Sequence, residues 1–220
     1  AIDGTATRLA VGADVGVGSE EDAVLGFALD VDGGARRIWT APGGRRIADL
    51  AFRPGRPEVA CASWLADPPP RILHADSGEI VRVHREVALP KELTWSAGGE
   101  RLLGVGNISF VDVWSGAPGS GAHRLSWRRG GRLVEPSGGA FVPGTERVAL
   151  WNDAGEGVLL EAPRGPDGAE PAREILSFGH ELAGGAGGGM VLVAGAAPVV
   201  VRLGNDLSIS RIDAAAGTAA

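Results

Sequence analysis

The chain has 220 residues, of which 44% are hydrophobic, with 36 Gly, 14 Pro and a formal net charge of −6. This length suits one large all-β domain or two small ones, and the negative charge excludes a non-specific nucleic-acid binder, which needs a basic stripe. The single cysteine, Cys61, excludes an intrachain disulfide and a cysteine-based metal site, and its apolar neighbours predict a small buried side chain. Neither a secretory signal nor an apolar span of about 18 residues is visible, so we expect no membrane contact and favour a cytoplasmic location.

Short apolar runs separated by Gly, Pro, Asn and Asp recur along the chain and predict β-strands. The pattern is clearest in Glu92–Trp114, where runs end at Trp95, Val105 and Trp114. Paired glycines after Trp95 and Gly106-Asn107 after Val105 supply the turns. Trp95 and Leu102 are expected to be packing residues.

The same unit of four short strands is predicted about five times, the first strand of each unit ending at Ile2, Phe52, Trp95, Phe141 or Gly184. The predicted second strands are Arg8–Val11, Glu58–Ala62, Arg101–Val105, Arg147–Trp151 and Met190–Ala194. The predicted third strands are Val24–Leu29, Arg71–Ala75, Ile108–Trp114, Gly157–Glu161 and Val199–Leu203. The predicted fourth strands are Ala35–Trp39, Glu79–His84, His123–Trp127, Arg173–Ser177 and Leu207–Ile212.

These first-strand positions are spaced by 50, 43, 46 and 43 residues. Four antiparallel strands per period of this length are typical of a β-propeller blade. A β-sandwich would not require the unit to recur, and a helical solenoid would need helical periodicity, which is missing. We therefore predict a single β-propeller domain, 1–220, with about five four-stranded blades at about 1–44, 45–89, 90–133, 134–178 and 179–220.

Three segments carry a family resemblance: LTWSAGGERLLGV…ISFVDVWSG, RILHADSGEIV and SFGHELAG, the last with Gly179 and His180. They resemble the blades of WD-repeat and related bacterial β-propellers. The resemblance implies the fold and, by analogy, a role in protein interaction. The chain departs from the family in having no Trp-Asp dipeptide, so the family's His–Asp network should be missing from most blades.

The number of units fits either a complete five-bladed ring or part of a larger propeller. No spare outer strand precedes Ile2 to pair with the last unit. This observation favours the second alternative, in which further blades come from the rest of a longer chain or from another chain.

Catalytic and metal-binding motifs are weak in this sequence, and we expect no cofactor and no metal. His74, His84, His123 and His180 fall in or beside different strands. Asp30 and Asp32 fit a β-turn better than a calcium loop, and Glu20–Asp22 fits a solvated loop tip. The alternative function is a propeller enzyme of glycosidase or lyase type with its active site in the central channel. Its acidic candidates near the starts of first strands are Asp49, Glu92 and Glu181.

Charged loops provide the main hypothesis about function. Connections from a fourth strand to the next first strand should gather on one face near the channel, and their residues are mostly basic: Arg45, Arg46, Arg85, Lys91, Arg128, Arg129 and Arg132. Connections from second to third strands reach the same face farther out and are acidic: Asp14, Glu20, Glu21, Asp22, Asp67, Asp153 and Glu156. We expect a basic patch inside an acidic rim, able to bind an acidic peptide or another protein.

Trp64, beside Pro68-Pro-Pro, is a candidate interface anchor that could equally pack under its own proline loop. The predicted function is thus a non-catalytic interaction or sensing module, which a larger regulatory protein could contain.

Overall fold

The structure is a computed structural model that describes residues 1–13, 22–44, 46–64, 69–84, 90–106, 110–115, 121–142, 144–145, 147–154, 156–162, 173–178, 190–193, 199–203, 209–213 and 218–219. Its regular structure is β throughout these ranges, in several small antiparallel sheets, which confirms the all-β prediction. No helix in these ranges is long and apolar enough to cross a membrane.

Each sheet is a meander in which strands adjacent in sequence pair with each other. Sheet 1 contains β1 (Arg8–Ala13), β2 (Asp22–Leu29) and β3 (Ala35–Gly44). Sheet 2 contains β4 (Ile47–Phe52), β5 (Glu58–Ser63), β6 (Arg71–His74) and β7 (Ile80–Val83). Sheet 3 contains β8 (Pro90–Trp95), β9 (Arg101–Gly106), β10 (Phe110–Ser115) and β11 (Ala122–Ser126).

The second half of the chain repeats the meander after a short hairpin of β12 (Arg128–Arg129) and β13 (Arg132–Leu133). Sheet 4 contains β14 (Gly138–Phe141), β15 (Arg147–Trp151), β16 (Gly157–Glu161) and β17 (Arg173–Phe178). Sheet 5 contains β18 (Met190–Val193), β19 (Val199–Leu203), β20 (Ile209–Asp213) and β21 (Thr218–Ala219).

The predicted and observed strands differ mainly at the two ends of the chain. Ile2 forms only an isolated bridge to Leu9, so the first sheet has three full strands. β3 continues to Gly44, five residues past the predicted end at Trp39. Sheet 5 gains β21, which the sequence did not predict because two residues are too short to form a pattern. The predicted first strand at Gly184 lies outside the described residues.

Sheets 1, 2, 3 and 4 pack face to face in that order, so the central strands of sheets 2 and 3 are buried on both faces. In sheet 2, Val59 and Leu73 pack against Val24 and Trp39 of sheet 1. Their neighbours Ala60 and Ile72 point the other way and pack against Trp95, Leu102 and Trp114 of sheet 3. Side chains alternate between the two faces of a strand, so neighbouring residues join different cores. Trp95 and Leu102 are packing residues, as predicted, and Cys61 is buried with Val59.

The largest core lies between sheets 3 and 4. Leu103 and Val113 pack there against Val148, Leu150 and Leu160. Burial of each such aliphatic side chain contributes roughly 1.5–3 kcal/mol, so this layer is a main source of stability. Trp127 is also buried here, and Trp39 is buried between sheets 1 and 2.

The first strands of successive sheets lie side by side. β4 packs against β8, and β8 packs against β14. Trp95 Nε1 donates a hydrogen bond of 3.0 Å to the Ala51 carbonyl oxygen, across the gap between β8 and β4. This lateral contact brings the loops that precede the first strands close together at one edge of the stack.

Candidate functional site

An open cleft of about 590 Å³ lies beside the start of β8 and the β12–β13 hairpin. Its cationic lining residues are Lys91, Arg129 and Arg132, three of the residues selected from the sequence. Its anionic lining residues are Glu135 and Asp153. Basic and acidic groups therefore share this cleft.

The hairpin holds two of the three cations. Its turn is Gly130-Gly131, both with positive φ (55° and 81°), which is the backbone that a two-residue type I′ turn requires. Arg129 and Arg132 are directly opposite each other across this turn and are exposed. The sequence was interpreted here as a simple loop, although a Gly-Gly pair between short runs is a recognised hairpin signal.

Arg128 belongs to the same hairpin but does not line the cleft. Its Nη1 donates a hydrogen bond of 3.0 Å to the carbonyl oxygen of Gly131. The guanidinium is thus used to close its own turn.

Arg129 is neutralised by the carboxylate of Glu156, which directly precedes β16 of sheet 4. Its Nη1 forms an ion pair with Glu156 Oε1. Asn152 holds that carboxylate in place, since its Nδ2 donates to Glu156 Oε2 at 3.0 Å and its Oδ1 accepts from the Glu156 backbone nitrogen at 2.9 Å. Within the described residues, Lys91 and Arg132 have no ion pair, so they are the cations available to a ligand.

Trp64 extends the cleft toward sheet 2. Its ring lies under Lys91, with Nζ 5.4 Å from the ring centroid, and 42% of the residue is exposed. The Trp64 backbone nitrogen donates a hydrogen bond of 2.9 Å to the Arg46 carbonyl oxygen. Arg46, Trp64 and Lys91 therefore form a continuous surface beside the cleft. The proline loop that offered the other interpretation of Trp64 lies mostly outside the described residues.

Arg46 adopts a backbone conformation that is unusual for its residue type. Its φ is +53°, and its side chain is exposed. A non-glycine residue in this region carries strain of order 1–3 kcal/mol. Arg45 and Arg85, the two remaining basic candidates, lie outside the described residues.

The acidic loop residues have various environments. Asp22 accepts a hydrogen bond of 3.1 Å from the Ile47 backbone nitrogen, and Asp153 is exposed at the cleft. The residues outside the described ranges are Asp14, Glu20, Glu21 and Asp67.

Asp49 and Glu92 are the two described carboxylates that the enzyme alternative would use. Burial raises the pKa of Asp49, and burial together with the charge of Asp49 raises the pKa of Glu92. Both carboxylates accept backbone hydrogen bonds from the next sheet, Asp49 from Leu93 at 2.8 Å and Glu92 from Gly139. These carboxylates join neighbouring sheets. Glu181, the third candidate, lies outside the described residues.

No cluster of three or more His, Cys, Asp or Glu side chains suited to a metal occurs in the described part of the chain. His84 and His123 are buried on different strand ends, and His74 Nδ1 accepts a hydrogen bond of 3.3 Å from the Asp76 backbone nitrogen. Burial raises the pKa of the Cys61 thiol. His180 lies outside the described residues.

Three residues that line the cleft were not selected from the sequence: Leu133, Glu135 and Asn152. Leu133 is 40% exposed and, like Glu135, lines the cleft. In the sequence, only the closeness of Leu133 and Glu135 to Arg132 along the chain could have indicated that they belong to this site. Comparison with known proteins adds no assignment, because neither a family model nor a curated protein matches the chain.

Proposed function

We propose that the chain forms blades of a β-propeller and acts as a non-catalytic interaction module that binds an acidic peptide segment of a partner protein. The repeated four-stranded meanders, their face-to-face packing and the lateral contact of β4, β8 and β14 support this fold. The WD-repeat resemblance agrees with it and with blades at about 1–44, 45–89, 90–133, 134–178 and 179–220. Further blades from a longer chain or a second chain remain part of the proposal.

The binding site that we propose is the cleft, and one observation carries the assignment. Lys91 and Arg132, from separate strands, line one open cavity without a carboxylate partner among the described residues. A desolvated or partly enclosed cation favours a carboxylate ligand, and charged hydrogen bonds are about twice as strong as neutral ones. Trp64 and Leu133 provide apolar contact at the two sides, so the ligand is an extended segment with Asp or Glu next to an apolar residue.

The test is a binding titration with fluorescent peptides rich in Asp, Glu and Leu, compared with matched peptides in which Asn and Gln replace the acids. We expect only the acidic peptides to bind, and the double substitution Lys91→Glu/Arg132→Glu to weaken binding by at least about tenfold. Trp64→Ala should weaken it as well. Equal affinity of the acidic and neutral peptides would contradict the proposal.

Two controls make the test specific to the cleft. Arg36→Glu/Arg37→Glu makes the same change of net charge on exposed β3 positions that do not line the cleft, and it should leave affinity within about twofold. Glu135→Gln removes an anion from the cleft and should strengthen binding of the acidic peptide. If the two double variants weaken binding equally, the attraction is a general effect of net charge and the cleft is not the site.

A further inference from the structure

The outer strand of sheet 2 differs from the outer strands of its neighbours. Among the described strands β7 pairs only with β6, and it carries three exposed aliphatic side chains: Ile80 (53% exposed), Val81 (48%) and Val83 (41%). The outer strand β3 of sheet 1 exposes Arg36 and Arg37 at its start, and β11 of sheet 3 exposes Arg124. Charged side chains on an edge strand discourage pairing with another chain, whereas three of the four residues of β7 are aliphatic and exposed.

The edge is an array of unpaired backbone groups beside an apolar surface, which is the arrangement that a further β-strand satisfies. The charges that flank Ile80 and Val81 then indicate which strand would pair with β7. The segment Glu79-Ile80-Val81-Arg82 is complementary to itself when two copies run antiparallel. Glu79 of one copy is then opposite Arg82 of the other, twice, and Ile80 and Val81 of both copies lie between these two pairs.

A bulge in β7 places both charges on the same face of the sheet. Val83 is opposite Arg71, Arg82 is opposite Ile72, and Ile80 is opposite Leu73, which leaves Val81 as the extra residue. Continuing the register, Glu79 is opposite His74, whose backbone nitrogen donates to the Glu79 carbonyl oxygen at 2.8 Å. Ile72 and His74 are two residues apart and share a face, so Arg82 and Glu79 share it as well.

Both charges are also free to make this contact. Glu79 is exposed, and neither Glu79 nor Arg82 has an ion pair within the described residues. An opposite-charge pair directly across two antiparallel strands is stabilising, whereas a like-charge pair is destabilising.

We infer that β7 is a homodimerisation edge, on which two copies of this chain pair their β7 strands antiparallel around a twofold axis. The interface is isologous, as twofold symmetry requires, and it joins two sheets into one continuous sheet of eight strands. A contact built on one short strand is at the small end of protein interfaces, so the dimer dissociates on dilution. This inference is independent of the cleft, because none of the cleft-lining residues belongs to β7.

The test is analytical ultracentrifugation of the full chain over a concentration series. The wild type should show a monomer–dimer equilibrium. Glu79→Arg and Arg82→Glu should each raise the dimer dissociation constant at least about tenfold, because each places two like-charge pairs at the interface. The double variant Glu79→Arg/Arg82→Glu exchanges the charges and should restore dimerisation.

Mixing the two single variants separates loss of the contact from loss of folding. In an equimolar mixture both cross-strand pairs are again of opposite charge, so heterodimers should form although neither variant forms homodimers. Arg36→Glu on β3 is the control and should not change the equilibrium. A wild type that stays monomeric throughout, single variants that dimerise as well as the wild type, or a mixture that does not associate would each overturn the inference.

Discussion

The carboxylate of Asp49 accepts a hydrogen bond of 2.8 Å from the backbone nitrogen of Leu93, which lies on the first strand of the next sheet. The contact recurs along the stack. Asp22 accepts from the Ile47 backbone nitrogen at 3.1 Å, and Glu92 accepts from Gly139. A carboxylate can accept several hydrogen bonds, so each of these acids satisfies a backbone donor that would otherwise lack a partner between two sheets. The acidic residues near the starts of these strands therefore serve to connect neighbouring sheets through hydrogen bonds to backbone donors.

Substitution of Asp49 should separate its hydrogen-bonding role from its charge. Asp49→Ala leaves the Leu50 and Leu93 backbone nitrogens without their acceptor and should cost about 1–3 kcal/mol in the free energy of unfolding. Asp49→Asn keeps an acceptor oxygen for one of these two donors and removes the buried charge, so it should cost less than Asp49→Ala. Urea denaturation at pH 7 measures both. Equal destabilisation by the two substitutions would contradict this role.

The stability difference between the wild type and Asp49→Asn should also depend on pH. Burial raises the pKa of Asp49 above its usual 3.8, so the folded chain holds this proton more tightly than the unfolded chain. The resulting stability is fully present below pH 3.8 and is lost as the pH rises through the folded pKa. Relative to Asp49→Asn, the wild type should therefore become less stable as the pH rises from 3.8 through the pKa of Asp49 in the folded chain.

Arg53 connects sheets 2 and 3. Its Nε donates to the Gly99 carbonyl oxygen at 2.6 Å, its Nη1 pairs with Glu58 Oε2 at 2.6 Å, and its guanidinium lies 5.0 Å from the Trp95 ring centroid. Arg53→Met breaks a buried pair and should cost about 3 kcal/mol in unfolding free energy, since Glu58 keeps a poorly solvated charge. The exposed pair Arg8–Asp76 provides the control, and Arg8→Met should cost less than about 1 kcal/mol. Similar costs at the two sites would argue against an inter-sheet role for Arg53.

His84 makes the fold sensitive to acid. It is buried, and its ring lies 5.1 Å from that of Trp114. Burial, with a smaller contribution from the charge of Arg82, lowers the pKa of His84 from 6.5 to about 4. Between these values the unfolded chain binds a proton that the folded chain does not, so stability falls as the pH decreases, by up to about 3 kcal/mol. Chemical denaturation from pH 7 to pH 4 should show this loss in the wild type and a smaller loss in His84→Phe. Parallel pH curves for the two proteins would contradict the assignment.

Gly26 lies under the ring of Trp39, its direct partner across β2 and β3. A Cβ atom at Gly26 would be 2.0 Å from Trp39 Cε2. Gly26→Ala should therefore displace the indole, break its 2.7 Å hydrogen bond from Nε1 to the Ala75 carbonyl oxygen, and cost about 1–3 kcal/mol in unfolding free energy. Gly4→Ala, where nothing lies within 4 Å, is the control and should be nearly neutral. Thermal unfolding and near-ultraviolet circular dichroism would measure both effects, and an unchanged tryptophan signal in Gly26→Ala would refute the explanation.

The strands were largely predictable because their ends are encoded locally. Gly157–Glu161 and Arg147–Trp151 have the predicted bounds, since a Gly or Pro turn stands on each side of a β-branched or aliphatic run. The period of the unit also predicted that Trp95 and Leu102 would be buried. The strand β21 and the β12–β13 hairpin were missed because two-residue strands have no alternation to detect.

The sequence by itself determined the all-β class, the meander of four strands and the choice of Lys91, Arg129, Arg132 and Trp64 as residues of interest. Only the tertiary structure decided which of these charges are free. Arg129 is bound to Glu156, which is 27 residues away and directly precedes β16 of sheet 4, and Arg128 is bound within its own turn. Turns depend on adjacent residues, so they can be recognised locally. Ion pairs depend on how whole sheets stack, and that stacking is the sum of many weak contacts between residues far apart in the chain.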